Sequence, residues 1–241
     1  MSVLILGATG GIGSALAQQL AARGVPLMLA ARNEAKLAAL AEKTGGATHV
    51  LDARDPTQVR VAAKAAKKRF GTVVGIANCV GSLLLKPAHT TTIEELEETV
   101  AVNLWSAFGA VQAAADVMRK QGGSVALIAS AASRTGLANH EAIAAAKGAV
   151  TGLGLSAAAT YASWGIRVNV VAPGLVETPM TEKLTSGPAR KVSDAMHPLG
   201  RIGTPEDVAR ALDWLLDPNQ AWITGQVLGV DGGLATLRPK Q

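Results

Sequence analysis

Aromatic side chains are scarce: Phe, Trp and Tyr together make up 3% of the chain. A core must therefore be aliphatic, built from Ala, Val, Leu and Ile. Cysteine is nearly absent. With Cys79 alone, an intrachain disulfide framework is excluded. No uninterrupted run of eighteen or more apolar residues occurs, so no membrane span is expected. No basic-then-apolar leader precedes the first strand-like run, which begins at Ser2. Together these absences point to the cytoplasm. His, Cys, Asp and Glu nowhere cluster at metal-ligand spacing, so no metal is expected. Repeats, low-complexity linkers and shifts of composition are missing too, and 241 residues suit one domain over 1–241.

Charge is modest and positive, with 17% charged residues and a net +5. Such a surface suits an anionic cofactor or a nucleic acid. The basic residues are scattered, however, and the densest group, Lys64, Lys67, Lys68 and Arg69, reads as the solvated face of a helix. Nucleic acid is not expected as a partner.

What is present is alternation. Strand-like runs at 2–6, 26–30, 47–51, 73–77, 123–129, 166–171 and 226–230 alternate with helical stretches at 11–23, 33–43, 56–70, 92–119, 139–162 and 205–217. This pattern predicts an α/β protein with a parallel sheet covered on both faces. The Gly- and Pro-containing stretch 173–204 reads as a long functional loop. The helix at 139–162 is dense in small residues, among them Ala142, Gly148, Gly152 and Gly154, which allow close helix packing.

Val3-Leu4-Ile5-Leu6 runs into Gly7-Ala8-Thr9-Gly10-Gly11-Ile12-Gly13. Gly7 permits a tight turn out of the strand. Gly11 removes a side chain where a pyrophosphate comes close. Gly13 lets the following helix pack on the sheet with its N-terminal amides toward phosphate. The second strand ends Ala31-Arg32, with no carboxylate to hold a ribose diol. Arg32 matches a 2′-phosphate instead, with a hydroxyl donor from Thr9, so NADP(H) is expected rather than NAD.

This glycine spacing, Ser130, and Lys147 followed by Gly148-Ala149-Val150 resemble the short-chain dehydrogenase/reductase family. Asp52-Ala53 after the third strand resembles its adenine-contacting pair. Asn78-Cys79-Val80-Gly81 resembles its Asn-Asn-Ala-Gly segment, and Pro173-Gly174-Leu175-Val176-Glu177-Thr178 its loop beside the nicotinamide. The tail from Gly200 to Gly233 is similar to β-ketoacyl-carrier-protein reductases. One departure is Leu6, where the family usually has Thr. The resemblance implies a single Rossmann-type doubly wound domain with a seven-stranded parallel sheet. It implies cofactor contacts from Gly7, Thr9, Gly11, Ile12, Gly13, Arg32, Asp52, Ala53, Asn78, Lys147, Pro173, Gly174, Val176 and Thr178. It assigns catalytic roles to Ser130, Lys147 and Asn103, and it implies a homo-oligomer, dimer or tetramer.

The family's catalytic tyrosine falls at Ile143, one helical turn before Lys147. Tyr161, the only tyrosine, lies roughly 27 Å further along the helix and cannot replace it. Three possibilities follow. His140 or Glu141 supplies the proton, with Asn139 as helix N-cap and His140 in the first turn. Water held by Ser130 and Lys147 supplies it. Or the protein binds NADP without turnover, as a sensor or partner subunit. The expected substrate is a small carbonyl or alcohol compound, thioester-linked in the carrier-protein case. An apolar side chain at 143 dries the pocket and suits a hydrophobic one. His197 is a candidate contact or a surface residue, and Cys79 a small buried hydrophobe.

Overall fold

Strands covered on both faces are mostly apolar, and three here are buried at every position: β1 (Ser2–Leu6), β2 (Leu27–Ala31) and β6 (Ile166–Pro173). The other strands of this computed structural model, which describes residues 1–238, are β3 (Ala47–Val50), β4 (Val73–Asn78), β5 (Gly123–Ile128) and β7 (Val227–Val230). All pair in parallel, in the order β3-β2-β1-β4-β5-β6-β7. The order reverses between β1 and β4, which opens a crevice at the carboxyl ends of the strands.

The helices are α1 (Gly11–Ala22), α2 (Glu34–Thr44), α3 (Pro56–Phe70), α4 (Ile93–Val100), α5 (Ser106–Met118), α6 (Glu141–Tyr161), α7 (Glu182–Thr185), α8 (Gly187–Met196) and α9 (Pro205–Leu216). Leu16 and Leu20 of α1, Leu37 and Leu40 of α2 and Leu212 of α9 fill one face of the sheet. Val59 and Ala62 of α3, Ala110 and Ala114 of α5 and Val150 of α6 fill the other. The aliphatic core expected from the scarcity of aromatics is there.

Helix starts follow their capping chemistry. The Asn33 side chain accepts the Lys36 N–H, and Asp55 accepts the Thr57 N–H ahead of Pro56. Thr92 with Glu95, and Thr204 with Asp207, form reciprocal capping boxes. Gly154 lies where α6 meets β6, and a Cβ there would run into Val170, whereas Gly148 and Gly152 face open space.

Three expectations need correcting. The helix expected over 92–119 is interrupted by a π turn at Ala101–Trp105 between α4 and α5, which contains the functional candidate Asn103. Stretch 173–204 is not a bare loop but carries α7 and α8. Asn139 is not an N-cap: it takes a left-handed φ of 63°, and His140 caps α6. Ile93–Met118 and Glu141–Trp164 are long and apolar enough, by length and composition alone, to cross a membrane, which does not overturn the expectation of no span. Alanines interspersed with polar residues give that average without an unbroken apolar run. In this fold the buried sides of both helices pack on the sheet.

Candidate active site

The crevice at the β1/β4 reversal is a cleft of about 1030 Å³. Its floor is the turn from β1 into α1. Gly7 holds φ +69°, and a Cβ on it would lie 2.9 Å from the Cys79 backbone. Gly13 faces the Gly7 carbonyl, so it does not line the cleft and its bareness serves the packing of the turn. At Gly11 the crowding comes from Thr178, whose Cγ2 would sit 2.8 Å from an added Cβ. The N-cap of α1 is Gly10, with no capping side chain. First-turn amides are thus left to the cleft, the arrangement that suits a phosphate.

One end of the cleft is basic. Arg32, Lys36 and Arg54 line it with Thr9, Asn33, Asp52 and Ala53. Arg54 binds Asp52 at 2.6 Å and reaches Glu98 on α4 at 3.1 Å. The Arg54 guanidinium holds the Asp52 carboxyl below the usual carboxylate range, with a smaller contribution from Arg32. Arg32 itself has no ion-pair partner among the described residues. A free guanidinium beside a second cation fits an extra phosphate on the ribose. Lys36 and Arg54 were not anticipated. Lys36 is one helical turn after Asn33, so that spacing was the available signal.

The other end holds Ser130, Ile143, Lys147 and His140. Lys147 is buried, and its Nζ donates to the Ile128 carbonyl at 2.8 Å. Burial brings its ammonium down to about 8. The same burial pushes the Cys79 thiol up to about 12, so it stays a neutral, unreactive lining group. Ser130 Oγ accepts the Ala132 N–H at 3.1 Å, and its own hydrogen has no acceptor among the described residues. His140 Nδ1 lies 2.7 Å from the Ala138 carbonyl, which fixes the proton on Nδ1 and leaves Nε2 without a protein partner among the described residues. Glu141 is exposed and does not line the cleft.

Asn78 and Asn103 stand behind the wall. Asn78 Nδ2 donates to Ser106 Oγ at 3.0 Å, and its Oδ1 accepts the Val80 N–H. Asn103 donates to the Thr99 carbonyl and Ser82 Oγ, both at 2.9 Å, and accepts the Ser82 N–H. Neither side chain faces the cleft. Their carboxamides hold the loop after β4 against the α4–α5 helix. A Cβ on Gly81 would sit 3.2 Å from Asn103 Oδ1 and 3.5 Å from Lys147 Nζ, so Gly81 is what lets the two approach.

Pro173, Gly174, Val176 and Thr178 complete the rim beneath α7 and α8. His197 is buried there, not at the surface. Its Nε2 accepts the Leu175 N–H at 3.1 Å and its Nδ1 donates to the Ser193 carbonyl at 2.7 Å. A Cβ on Gly174 would lie 2.6 Å from that Nε2. His197 thereby ties the end of α8 to the loop after β6, and Arg190 adds an ion pair to Glu177.

Comparison with known proteins places this geometry. A family model described as enoyl-(acyl carrier protein) reductase matches residues 7–235. A short-chain type dehydrogenase/reductase from Mycobacterium ulcerans superposes with a TM-score of 0.92 at 31% identity, over 98% of this chain and 90% of that one. The chain belongs to the short-chain dehydrogenase/reductase family. Another solved structure, ElxO with NADP bound, matches with a TM-score of 0.92 at 26% identity, over 98% of this chain and 99% of that one. A tyrosine-to-phenylalanine variant of ElxO with NADPH bound matches equally well. Among curated relatives, a protein named inactive 2-(S)-hydroxypropyl-CoM dehydrogenase 2, from Xanthobacter autotrophicus, is 36% identical over 77% of this chain and 84% of its own length. For a member of this dehydrogenase/reductase family, the residues present fit a bound NADP(H). The bare N-terminus of α1 and the unpaired Arg32 supply the fit.

Proposed function

We propose that the protein is an NADP-dependent oxidoreductase of a carbonyl or alcohol substrate, with Ile143 in the place of the family's catalytic tyrosine and His140 as proton donor. The observation that carries this reading is the pair of free hydrogen-bonding positions that line the cleft together with Ile143: the Ser130 hydroxyl and His140 Nε2. Ile143 has no proton to give, while a positioned general acid contributes about 10²–10⁴ in rate. The cofactor, when bound, supplies the hydride.

The roles of the chain's own groups follow from their geometry. Gly7, Gly11, Ile12 and the first turn of α1 receive the pyrophosphate. Thr9, Arg32 and Lys36 receive the 2′-phosphate, and Asp52 with Ala53 borders the adenine. Lys147, anchored on Ile128, directs its remaining N–H groups to the nicotinamide ribose. Pro173, Gly174, Val176 and Thr178 border the nicotinamide. The Ser130 hydroxyl donates to the substrate oxygen, and protonated His140 gives that oxygen its proton from Nε2. Asn78, Gly13 and Asn103 act by holding the frame.

The test is NADPH oxidation over a panel of ketones and acetoacetyl thioesters, in wild type and His140→Ala. Activity that falls at least tenfold in the variant, with the loss of one limb of the pH profile, supports the assignment. Unchanged rate and profile would remove His140 and leave water as the donor.

A second reading is a catalytically silent NADP-binding protein. It is favoured by the relative named as inactive and by the tyrosine-to-phenylalanine variant of ElxO that holds NADPH. Tight NADP binding with no turnover across the panel would establish it. In either case we place the protein in the cytoplasm as a homo-oligomer. Exposed apolar side chains support assembly: Trp105 and Phe108 at the start of α5, Leu155 on α6, Trp214 on α9, and Trp222 ahead of edge strand β7, the last 99% exposed.

A further inference from the structure

The reaction end of the cleft has a composition that constrains what enters it. Its outer wall is Leu85, Leu137, Ile143, Met180, Leu184 and Met196. The segment 178–197 that covers it carries Glu182, Lys183, Arg190, Lys191 and Asp194, and none of these lines the cleft. Arg190 and Asp194 are paired with each other, and Arg190 also with Glu177. The polar groups that the segment does turn inward are already used. Ser193 Oγ donates to the Leu184 carbonyl, Thr181 Oγ1 to the Val176 carbonyl, and both nitrogens of His197 are bonded to backbone.

What remains free among the described residues is small. It comprises the hydroxyl hydrogens of Ser130 and Ser82, the latter with its oxygen occupied by Asn103, and His140 Nε2. Besides the proton-donating form of His140, the cation at this end is Lys147, at the buried base on Ile128. A carboxylate or phosphate on the substrate would find, among the described residues, no cation along the wall other than that donor, and occupying it would take the donor from the carbonyl oxygen. A polyol would strand hydroxyls against Leu and Met, and each unpaired buried hydroxyl is costly. Met180 and Met196 are about half exposed at the mouth, unbranched side chains that can close over apolar surface of varied shape.

We infer that the substrate is an uncharged, mainly apolar monoketone or the matching secondary alcohol, with one oxygen presented to Ser130. This rests on the oxidoreductase reading for its chemistry but not for its binding. In the reduction, hydride passes from NADPH to the carbonyl carbon, the C–O π pair moves onto oxygen, and oxygen takes a proton from His140. NADP⁺ and the secondary alcohol are the products.

The probes are cyclohexanone, 4-methylcyclohexanone and 4-tert-butylcyclohexanone, against 4-oxocyclohexanecarboxylate and the tetrol threitol. Each is titrated by calorimetry into the NADPH-loaded protein, and ketone turnover is measured separately. Affinity should rise roughly three- to fourfold for each added carbon that the wall covers. The carboxylate and the tetrol should bind at least tenfold more weakly than 4-methylcyclohexanone. Met196→Gln should weaken the tert-butyl ketone about three- to tenfold and cyclohexanone less. Ketones that bind in this order without turning over leave the inference standing and remove the oxidoreductase reading. Turnover of threitol with NADP⁺, or of the carboxylate with NADPH, in preference to the alkyl ketones overturns the inference and keeps that reading. Failure of every ketone to bind at millimolar concentration overturns it as well.

Discussion

Replacing Lys147 by methionine should stabilise the cofactor-free protein. Lys147 is 6% exposed, and burial lowers its ammonium from the ordinary 10.5 to about 8. Keeping that proton in the folded state at pH 7 therefore costs about 3 kcal/mol. Methionine fills the same space without charge. It strands the Ile128 carbonyl, a loss of about 1 kcal/mol. The net gain is about 2 kcal/mol, which for a chain of this length raises the midpoint of thermal unfolding by about 4–8 °C. The pH dependence provides a second check. Below pH 8 folded and unfolded chains both carry the proton, and the cost is fully present. Between pH 8 and 10.5 the unfolded chain binds more protons, so wild-type stability rises with pH and the advantage of the variant shrinks. By pH 9 it should have fallen by about 1 kcal/mol. Cys79, raised to about 12 by burial, acts in the opposite direction above pH 9, because the unfolded thiol ionises first. The Lys147 charge works against that rise, so its loss in the variant pushes the Cys79 thiol further up, and the comparison is confined to pH 9 and below, where the folded thiol stays neutral in both proteins. Urea unfolding at pH 7, 8 and 9 without cofactor measures the difference. A variant no more stable than wild type at pH 7, or an advantage that does not change by pH 9, refutes the reasoning. The same variant should lose NADP affinity at least tenfold, since the ribose contact goes with the charge.

Three further outcomes are expected. Arg32→Ala should weaken NADP by about 10- to 100-fold and NAD little, the worth of a charge-assisted phosphate contact, and equal losses by calorimetry would remove Arg32 from the 2′-phosphate site. Ile143→Tyr sends its ring into the open cleft and places a phenol one turn from Lys147, whose charge lowers the phenol pKa; in the His140→Ala background, which lacks the other donor, ketone reduction should rise about 10²–10⁴-fold. A tyrosine variant that binds NADPH yet reduces nothing faster would count against Ile143 as the missing donor. Sedimentation equilibrium at micromolar concentration should give a dimer or tetramer, and a 24.5 kDa species would contradict the oligomer.

The alternation of apolar runs and helical periods determined the fold class, because strands sealed on both faces leave that pattern in any sequence that forms them. All seven strands fall within a residue or two of where they are expected, β6 running on to Pro173. The glycine turn and the bare Arg32 were legible for a similar reason: each depends on a local stretch whose geometry its own residues dictate. Lys147 and Ile143 were legible as a pair because one helical turn puts both on one face. The tertiary structure decided what depends on distant partners. It turned Asn78 and Asn103 away from the cleft, since their carboxamides are met by Ser106, Thr99 and Ser82 from other segments. It buried His197, because β6 and α8 converge only in the fold. It made His140 the N-cap by the left-handed Asn139, whose carbonyl takes the Lys86 N–H from another loop. It also gave the reaction end its apolar wall, by turning Met180, Leu184 and Met196 inward and their charged neighbours out. No local spacing encodes that choice, because it is the packing of α7 and α8 over the sheet that selects the face.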